Sequence, residues 1–345
     1  MDQKVTIKEV AELAGVSKST VSRYLNHGYI STEKQERVRA AIEQTGFQSN
    51  FFAKRLKTKE SKLIGIVLPR MDSVTVGKLL AGISRVLEPA GYQGILLVSQ
   101  LSSRKELENI RNLQQQGVDG ILVDSVGITE EHVKISQEGN IPILYTGQKN
   151  DKVPFVKIDD EAAGRMMGAY LRQMGHKHAV FAGVTERDAA VGIDRKHGFM
   201  EAFKAGRFGA KVDFIETGFD FLSAYNRAED VLRCKASVVV GATDNISLGI
   251  LRYLHERGIR VPEEISVVGF GGYEVGAVVY PALTTVAFDY ELVGMKAAQY
   301  MLDLLREEPV QENMEMPLFF VERESVRNLK REYEKEKPGS MNGLA

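Results

Sequence analysis

The sequence has a single cysteine in 345 residues, Cys234, so an intrachain disulfide is impossible and the thiol is expected to fill a small core position. It has no apolar run of about 18 residues, the length that a helix needs to cross a bilayer. Its first 30 residues lack the apolar stretch of a secretion signal. These absences predict a cytoplasmic chain with no membrane partner. No short-period repeat, low-complexity tract or heptad pattern is present either, which excludes solenoids and long coiled coils. What remains is 43% apolar and 26% charged residues, a balance able to build two or three folded domains.

The net charge of −1 hides an asymmetry. Residues 1–60 hold 11 Lys/Arg against 7 Asp/Glu, a net +4, which leaves −5 for the rest. A basic end on an acidic body suits a module that meets phosphates. Within it, "TIKEVAELAGVS" reads as a helix that Thr6 and Glu9 start through a capping box, with Ile7, Val10, Ala11 and Ala14 on one face and Gly15 as the stop. Ser17 caps the next helix, whose Val21 and Leu25 point inward. Lys18, Ser19, Ser22, Arg23 and Asn26 are left outside, as suits insertion into a major groove. Thr32 and Gln35 suggest a second capping box for "EKQERVRAAIEQTG". "NFFAKRLKTKESK", residues 50 to 62, gathers five bases around Ala53 and Leu56, a pattern that could fold on DNA with Leu56 as an apolar wedge.

From residue 62 short apolar strands alternate with helices, beginning "KLIGIVLP". This α/β pattern predicts parallel sheets covered on both faces, in two sets of roughly 100 residues with a cleft between them. Ligands of such sheets sit beyond the carboxyl ends of the strands. That places "PRMDS" (69–73), "YTGQ" (145–148), "GATDN" (241–245) and "GFGGYE" (269–274) at the cleft. The rival readings are weak. "GFGGYEVG" lacks the third glycine of a dinucleotide fingerprint. His176 and His178 of "GHKH" have no third ligand nearby and read as a turn with solvated histidines. No catalytic constellation stands out, so no enzyme, metal or cofactor is expected.

"VTIKEVAELAGVSKSTVSRYLN", followed by the spacing of "NFFAKRL", resembles the lactose-repressor/galactose-repressor (LacI/GalR) family of bacterial transcription regulators. The resemblance implies a helix-turn-helix headpiece over residues 1–48, a hinge helix over 49–61 and a two-lobed, periplasmic-binding-protein-like core of doubly wound parallel sheets over 62–330. Its N-lobe would take about 62–157 plus 288–318, and its C-lobe about 158–287 plus 319–330. Residues 331–345 would form a charged, disordered tail. The implied DNA contacts are Thr6, Ser17, Lys18, Ser19, Ser22, Arg23, Asn26, Tyr29 and Ser31, with Asn50, Ala53 and Leu56 in the hinge.

"GIDRKHGF" resembles the family segment whose arginine grips a sugar hydroxyl, which puts Arg195 in the cleft. Three further positions depart from the family pattern: Thr243 stands for the usual Asn, Gly271 and Gly272 for an Asp-Asp pair, and Gly147 for a common aspartate. "LPRMDS" and the paired glycines look most like members that regulate disaccharide operons, such as trehalose or sucrose repressors. The expected effector is a sugar or sugar phosphate held by Arg70, Asp72, Ser73, Gln148, Arg195, Thr243, Asp244, Tyr273 and Phe288. Arg70 among hydroxyls would be the phosphate anchor. The tail lacks a leucine repeat, so the expected assembly is a homodimer on a pseudo-palindromic, double-stranded operator. The expected function is a repressor of a carbohydrate-utilisation operon. The alternative is a catabolite-control-type regulator whose corepressor is a phosphocarrier protein.

Overall fold

The computed structural model describes residues 5–25, 28–47, 60–206, 209–310 and 313–330. The chain divides into two compact units, Met1–Ser61 and Lys62–Ala345.

In the first unit, α1 (Ile7–Leu13), α2 (Lys18–Leu25) and α3 (Thr32–Thr45) enclose a core of Val10, Ala11, Ala14, Val21, Val38 and Ala41. The Thr6 backbone N–H donates to Glu9 Oε2 at 2.6 Å and the Thr6 hydroxyl donates to the same oxygen at 2.9 Å. These bonds hold the Glu9 carboxyl below its ordinary range. Ser17 Oγ accepts from the Thr20 N–H at 3.2 Å, as an N-cap should. Gly15 and Gly46 both take φ +61°, where a side chain would be strained. The cap of α3 differs from expectation: Ser31 is the capping residue, and Gln35 Nε2 donates instead to the Ile30 carbonyl at 3.1 Å. Thr32 already lies inside the helix, so Gln35 is one place too far along to reach the cap.

The second unit holds two six-stranded sheets. The N-lobe runs β1 (Leu63–Leu68), α4 (Val74–Leu87), β2 (Gln93–Val98), α5 (Ser103–Gln116), β3 (Gly120–Asp124), α6 (Glu130–Glu138), β4 (Ile143–Thr146) and β5 (Phe155–Ile158). The C-lobe follows with α7 (Asp160–Gln173), β6 (His178–Gly183), a π-helix (Ala189–Asp194), α8 (Arg195–Lys204), β7 (Lys211–Glu216), α9 (Phe221–Arg233), β8 (Val238–Gly241), α10 (Asp244–Glu256), β9 (Ser266–Gly271), α11 (Val275–Val278) and β10 (Thr284–Phe288). The chain then returns to the N-lobe through α12 (Tyr290–Leu305) and β11 (Met314–Met316), and ends in the C-lobe with β12 (Leu318–Val321). The N-lobe sheet has the order β11-β5-β4-β3-β1-β2, all parallel. The C-lobe sheet has the order β12-β10-β9-β8-β6-β7, with only β12 antiparallel.

Strand alternation sets the layers. Ile64, Ile66 and Leu68 of β1 pack in the same core as Val76, Leu79 and Ile83 of α4, whereas Val67 packs with Ile110 and Leu113 of α5. Glycines let the covering helices approach closely. A Cβ at Gly294 of α12 would collide with the Leu79 carbonyl of α4, and one at Gly164 of α7 with the Arg195 carbonyl of α8. His176 is not a solvated turn residue. It is buried, with Nδ1 2.8 Å from Ser237 Oγ and Nε2 3.2 Å from the Arg327 carbonyl, and so fastens the segment after β12 to the C-lobe. Cys234 is half-buried at the end of α9. No helix among the described residues is long and apolar enough to cross a membrane.

The helix contacts give a paired test. Gly294→Ala should lower stability by about 1–3 kcal/mol through overpacking. Gly77→Ala, on an open face of α4 where an added Cβ meets nothing within 4 Å, should be neutral or stabilising by up to about 1 kcal/mol. Denaturant unfolding of both variants reads the difference.

Candidate functional site

Both sheets reverse strand order once, between β1 and β3 in the N-lobe and between β6 and β8 in the C-lobe. At such a switch point neighbouring loops leave in opposite directions and open a crevice at the carboxyl ends. One cavity is lined from both crevices. Pro69, Arg70 and Ser73 follow β1, Asp124 and Ser125 close β3, and Thr146, Gly147 and Gln148 close β4. From the other lobe come Asp188, Arg195, Phe219, Thr243, Asn245 and Tyr273. Lys157, Asp160 and Tyr290 line it where the chain passes between lobes.

Of the expected effector residues, Arg70, Ser73, Gln148, Arg195, Thr243 and Tyr273 line this cavity. Three do not. Asp72 is a surface residue, its side chain 78% exposed, paired with Arg70 Nε at 3.3 Å. Asp244 is fully buried: Oδ1 accepts from Thr285 Oγ1 at 2.7 Å and Oδ2 from the Tyr273 N–H at 2.7 Å. It ties α10 to β10 and to the turn after β9, and burial raises its carboxyl above the ordinary range. Phe288 lies behind the lining, with the Arg195 guanidinium 5.0 Å from its ring centre.

Arg195 is held on every side. Its Nε donates to Asp160 Oδ1 at 3.1 Å, Nη2 donates to the same carboxylate and Nη1 to the Ala242 carbonyl. The rings of Phe270 and Phe288 lie 5.2 and 5.0 Å from the guanidinium. The pair is buried, so its charges compensate each other out of water. Lys157, equally buried, has Nζ 3.6 Å from Asp194 Oδ2. Arg70 rests 4.8 Å from the Phe219 ring centre.

Asp124 and Asp188 were not among the expected residues. Thr146 Oγ1 donates to Asp124 Oδ1 at 3.0 Å. The Val191 N–H donates to Asp188 Oδ1 at 3.0 Å, and Gln148 Nε2 donates to it across the lobes at 3.3 Å. Burial pushes Asp124 up to about 7, with the charges of Glu106 and Asp188 adding to it, and pushes Asp188 up to about 6. Asp124 ends a strand, so the strand-end rule marks it. Asp188 has no such local signal, because it precedes a π-helix inside a long loop. Lys157 could be found as a lone charge in a buried strand. No group of three or more metal-ligating side chains occurs among the described residues.

In the first unit Thr6, Ser17, Lys18, Ser19, Arg23, Tyr29 and Ser31 are exposed, and Ser22 is partly so. Ser17, Lys18, Ser19, Ser22 and Arg23 lie at or on α2, around its first two turns, as the outer face of a recognition helix requires. Asn26, Asn50, Ala53 and Leu56 lie outside the described residues.

Removing one member of the buried pair should be costly. Asp160→Asn leaves the Arg195 charge unmatched and should destabilise by about 3–5 kcal/mol in denaturant unfolding. The raised Asp124 and Asp188 carboxyls contribute stability that is full below the ordinary carboxylate range and is lost as pH rises through about 6 to 7. The melting temperature of Asp124→Asn relative to the parent should therefore be higher at pH 8 than at pH 5.

Residues 6–50 match the family described as bacterial regulatory proteins, lacI family, and residues 169–326 match a periplasmic binding protein-like domain. The sucrose operon repressor of Staphylococcus xylosus is 31% identical over 310 residues, 89% of this chain and 96% of that protein. The transcriptional regulator RegA of Clostridium saccharobutylicum is 30% identical over 330 residues, 93% and 99% of the two chains. The solved lac repressor dimer, bound to operator and an anti-inducer, superposes with a TM-score of 0.85 at 23% identity, over 94% of this chain and all of that one, which shows the shared fold. Identity at this level along nearly the full length of two regulators, with the helix-turn-helix match at the front, settles the family: the chain belongs to the lacI family of bacterial regulatory proteins and is a DNA-binding transcription regulator, not an enzyme.

Proposed function

We propose that this regulator represses a carbohydrate-utilisation operon in the cytoplasm and is controlled by a sugar or sugar phosphate in the interlobe cleft. The observation that carries the reading is the cavity at both switch points, lined by hydroxyl, amide, charged and aromatic groups from two lobes of one chain. Similarity to the sucrose operon repressor of Staphylococcus xylosus supports the carbohydrate class. Arg70, Ser73, Gln148, Arg195, Thr243 and Tyr273 are the effector-facing residues of the expected set; Asp124, Asp188, Lys157 and Tyr290 join them. Arg195 acts through the fixed edge of its guanidinium, since its other donors are spent on Asp160 and Ala242.

On DNA, two copies related by a two-fold axis place two headpieces on the half-sites of a pseudo-palindromic operator. Lys18 and Arg23, with the bases of residues 54–62, supply salt-dependent affinity, while Ser17, Ser19, Ser22, Arg23 and Asn26 read base edges. Asn50, Ala53 and Leu56 form the hinge, and prying a base step open with Leu56 costs a few kcal/mol that the added contacts offset. The effector shifts DNA affinity only as far as it binds one arrangement of the lobes better than the other.

Two measurements check this. Arg23→Ala should weaken operator binding by about 1–3 kcal/mol in fluorescence anisotropy at fixed salt, with an unchanged circular dichroism spectrum, since Arg23 is exposed. A sugar or sugar phosphate at 100 times its Kd should raise the stability of the full chain by about 2.7 kcal/mol. A panel with no stabilising member would redirect the search to a protein corepressor, with DNA recognition untouched.

A further inference from the structure

We infer that the effector selected by this cleft carries a protonated amine, an ammonium-bearing sugar in preference to its neutral or phosphorylated counterparts. This rests on the effector reading of the cleft given above.

The inventory of charge in the cavity leads there. Its three basic side chains are each engaged by a carboxylate: Arg195 by Asp160, Lys157 by Asp194 at 3.6 Å and Arg70 by Asp72 at 3.3 Å. Its carboxylates are not all matched in return. Asp124 and Asp188 line the cavity, and among the described residues neither has a basic side chain at ion-pair distance. Both take neutral donors only, Thr146 for Asp124 and Val191 and Gln148 for Asp188. They come from opposite lobes, and the charge of Asp188 adds to the rise of the Asp124 carboxyl. Glu106, 1% exposed, adds a third negative group behind Asp124: Ser125 Oγ donates to it at 2.6 Å, and His132 Nε2 lies 3.0 Å from the same oxygen.

A ligand that fills the cleft must supply what these groups lack. An ammonium is a compact positive charge with three donors and no acceptor, which suits two carboxyls that line one cavity from opposite lobes. The Gln148 amide donates one of its two N–H groups to Asp188 and carries an oxygen that can serve as a further acceptor. The aromatic side chains of Phe219, Tyr273 and Tyr290 line the remainder and suit the apolar faces of a sugar ring. A phosphate would find Arg195 and Lys157 already paired and would lie in the same cavity as two carboxyls, with Arg70 as its one cation paired only to a surface carboxylate. A neutral sugar would satisfy hydrogen bonds but bring no positive charge to the two carboxyls that burial now drives toward the protonated form. Asp124 and Asp188 are thereby the residues that set specificity.

The test is isothermal titration of the full chain at pH 7 with matched ligand sets. One set is glucosamine, glucose, N-acetylglucosamine and glucose 6-phosphate; a second is the galactose equivalent; a third pairs the β-1,4-linked glucosamine dimer with cellobiose. The expected result is a set in which the amine binds at least tenfold tighter than every other member. Acetylation should abolish the advantage, because it keeps the nitrogen and removes the charge. Asp188→Asn should remove it as well, and Asp124→Asn serves as the independent second variant. If the tightest ligand in every set that binds is neutral or phosphorylated, the ammonium assignment is overturned while the sugar-effector reading stands. An amine preference that survives in both variants overturns the assignment to these two carboxylates. Absence of binding in all sets counts against both the ammonium and the sugar readings.

Discussion

One buried ion pair organises the cleft. Asp160 is the first residue of α7, just after the chain leaves the N-lobe sheet, and Arg195 is the first residue of α8. Their contact, the bond to the carbonyl that follows β8, and the Phe270 and Phe288 rings of β9 and β10 bring five elements of the C-lobe to one guanidinium. Burial by itself disfavours the charge on Arg195, and the Asp160 carboxylate more than offsets that. A buried charge with its partner in place tolerates little displacement, because any gap leaves it uncompensated. Position rather than net stability is what such a pair contributes here. The C-lobe wall of the cavity is therefore stiff where Arg195 lies.

The glycines at the end of β9, where the family resemblance implies an Asp-Asp pair, suit the same tight packing. Gly271 and Gly272 take φ +132° and +70°, and a Cβ on Gly272 would collide with Ala287. The turn folds flat over β10, which lets the Tyr273 N–H reach Asp244. A carboxylate in that turn has no room to point at a ligand. Gly147 is similar: it takes φ +80°, and its missing side chain leaves space that Asp124 Oδ1 approaches, 3.0 Å from where a Cβ would stand. The acidic groups that line this cleft stand on other elements, among them Asp124 at the end of β3 and Asp188 before the π-helix. Short π segments recur at functional sites because one wider turn re-aims the residues beside it. Here that turn carries Asp188 at its head and Asp194 and Arg195 at its foot.

Much of this was legible in the sequence, and the reasons are local. Alternation of short apolar strands with helices is a pattern of neighbours, so "KLIGIVLP" marks the strand found at Leu63–Leu68. The strand-end rule brought four separated segments to one cavity without any knowledge of contacts. What escaped was pairing at a distance. Nothing local announces that Asp160 will meet Arg195 35 residues on, or that His176 will be buried against Arg327. Asp244 looked like a ligand group because it follows a strand, yet its carboxylate is consumed by Thr285, 41 residues away. A sequence rule finds where polar groups gather, and packing decides which of them remain unspent.

The placement of unspent groups bears on how such a cleft responds to a ligand. The chain passes between lobes three times, after β5, after β10 and after β11, and the residues at the first two passages are Asp160 and Tyr290, both of which line the cavity. A ligand therefore touches the connections about which the lobes would turn as well as the walls they carry. Direct contacts between the lobes include two hydrogen bonds, Gln148 to Asp188 at 3.3 Å and the Ala189 N–H to the Val126 carbonyl at 3.3 Å, and two ion pairs, Lys157 to Asp194 and Lys78 to Glu274, each at 3.6 Å. Packed walls joined by a few polar contacts favour motion as whole bodies, since packed interiors shift between discrete arrangements rather than deform smoothly. A ligand that touches Asp124 on one lobe and Asp188 on the other bridges bodies that can move, whereas the Arg195–Asp160 pair lies within one of them.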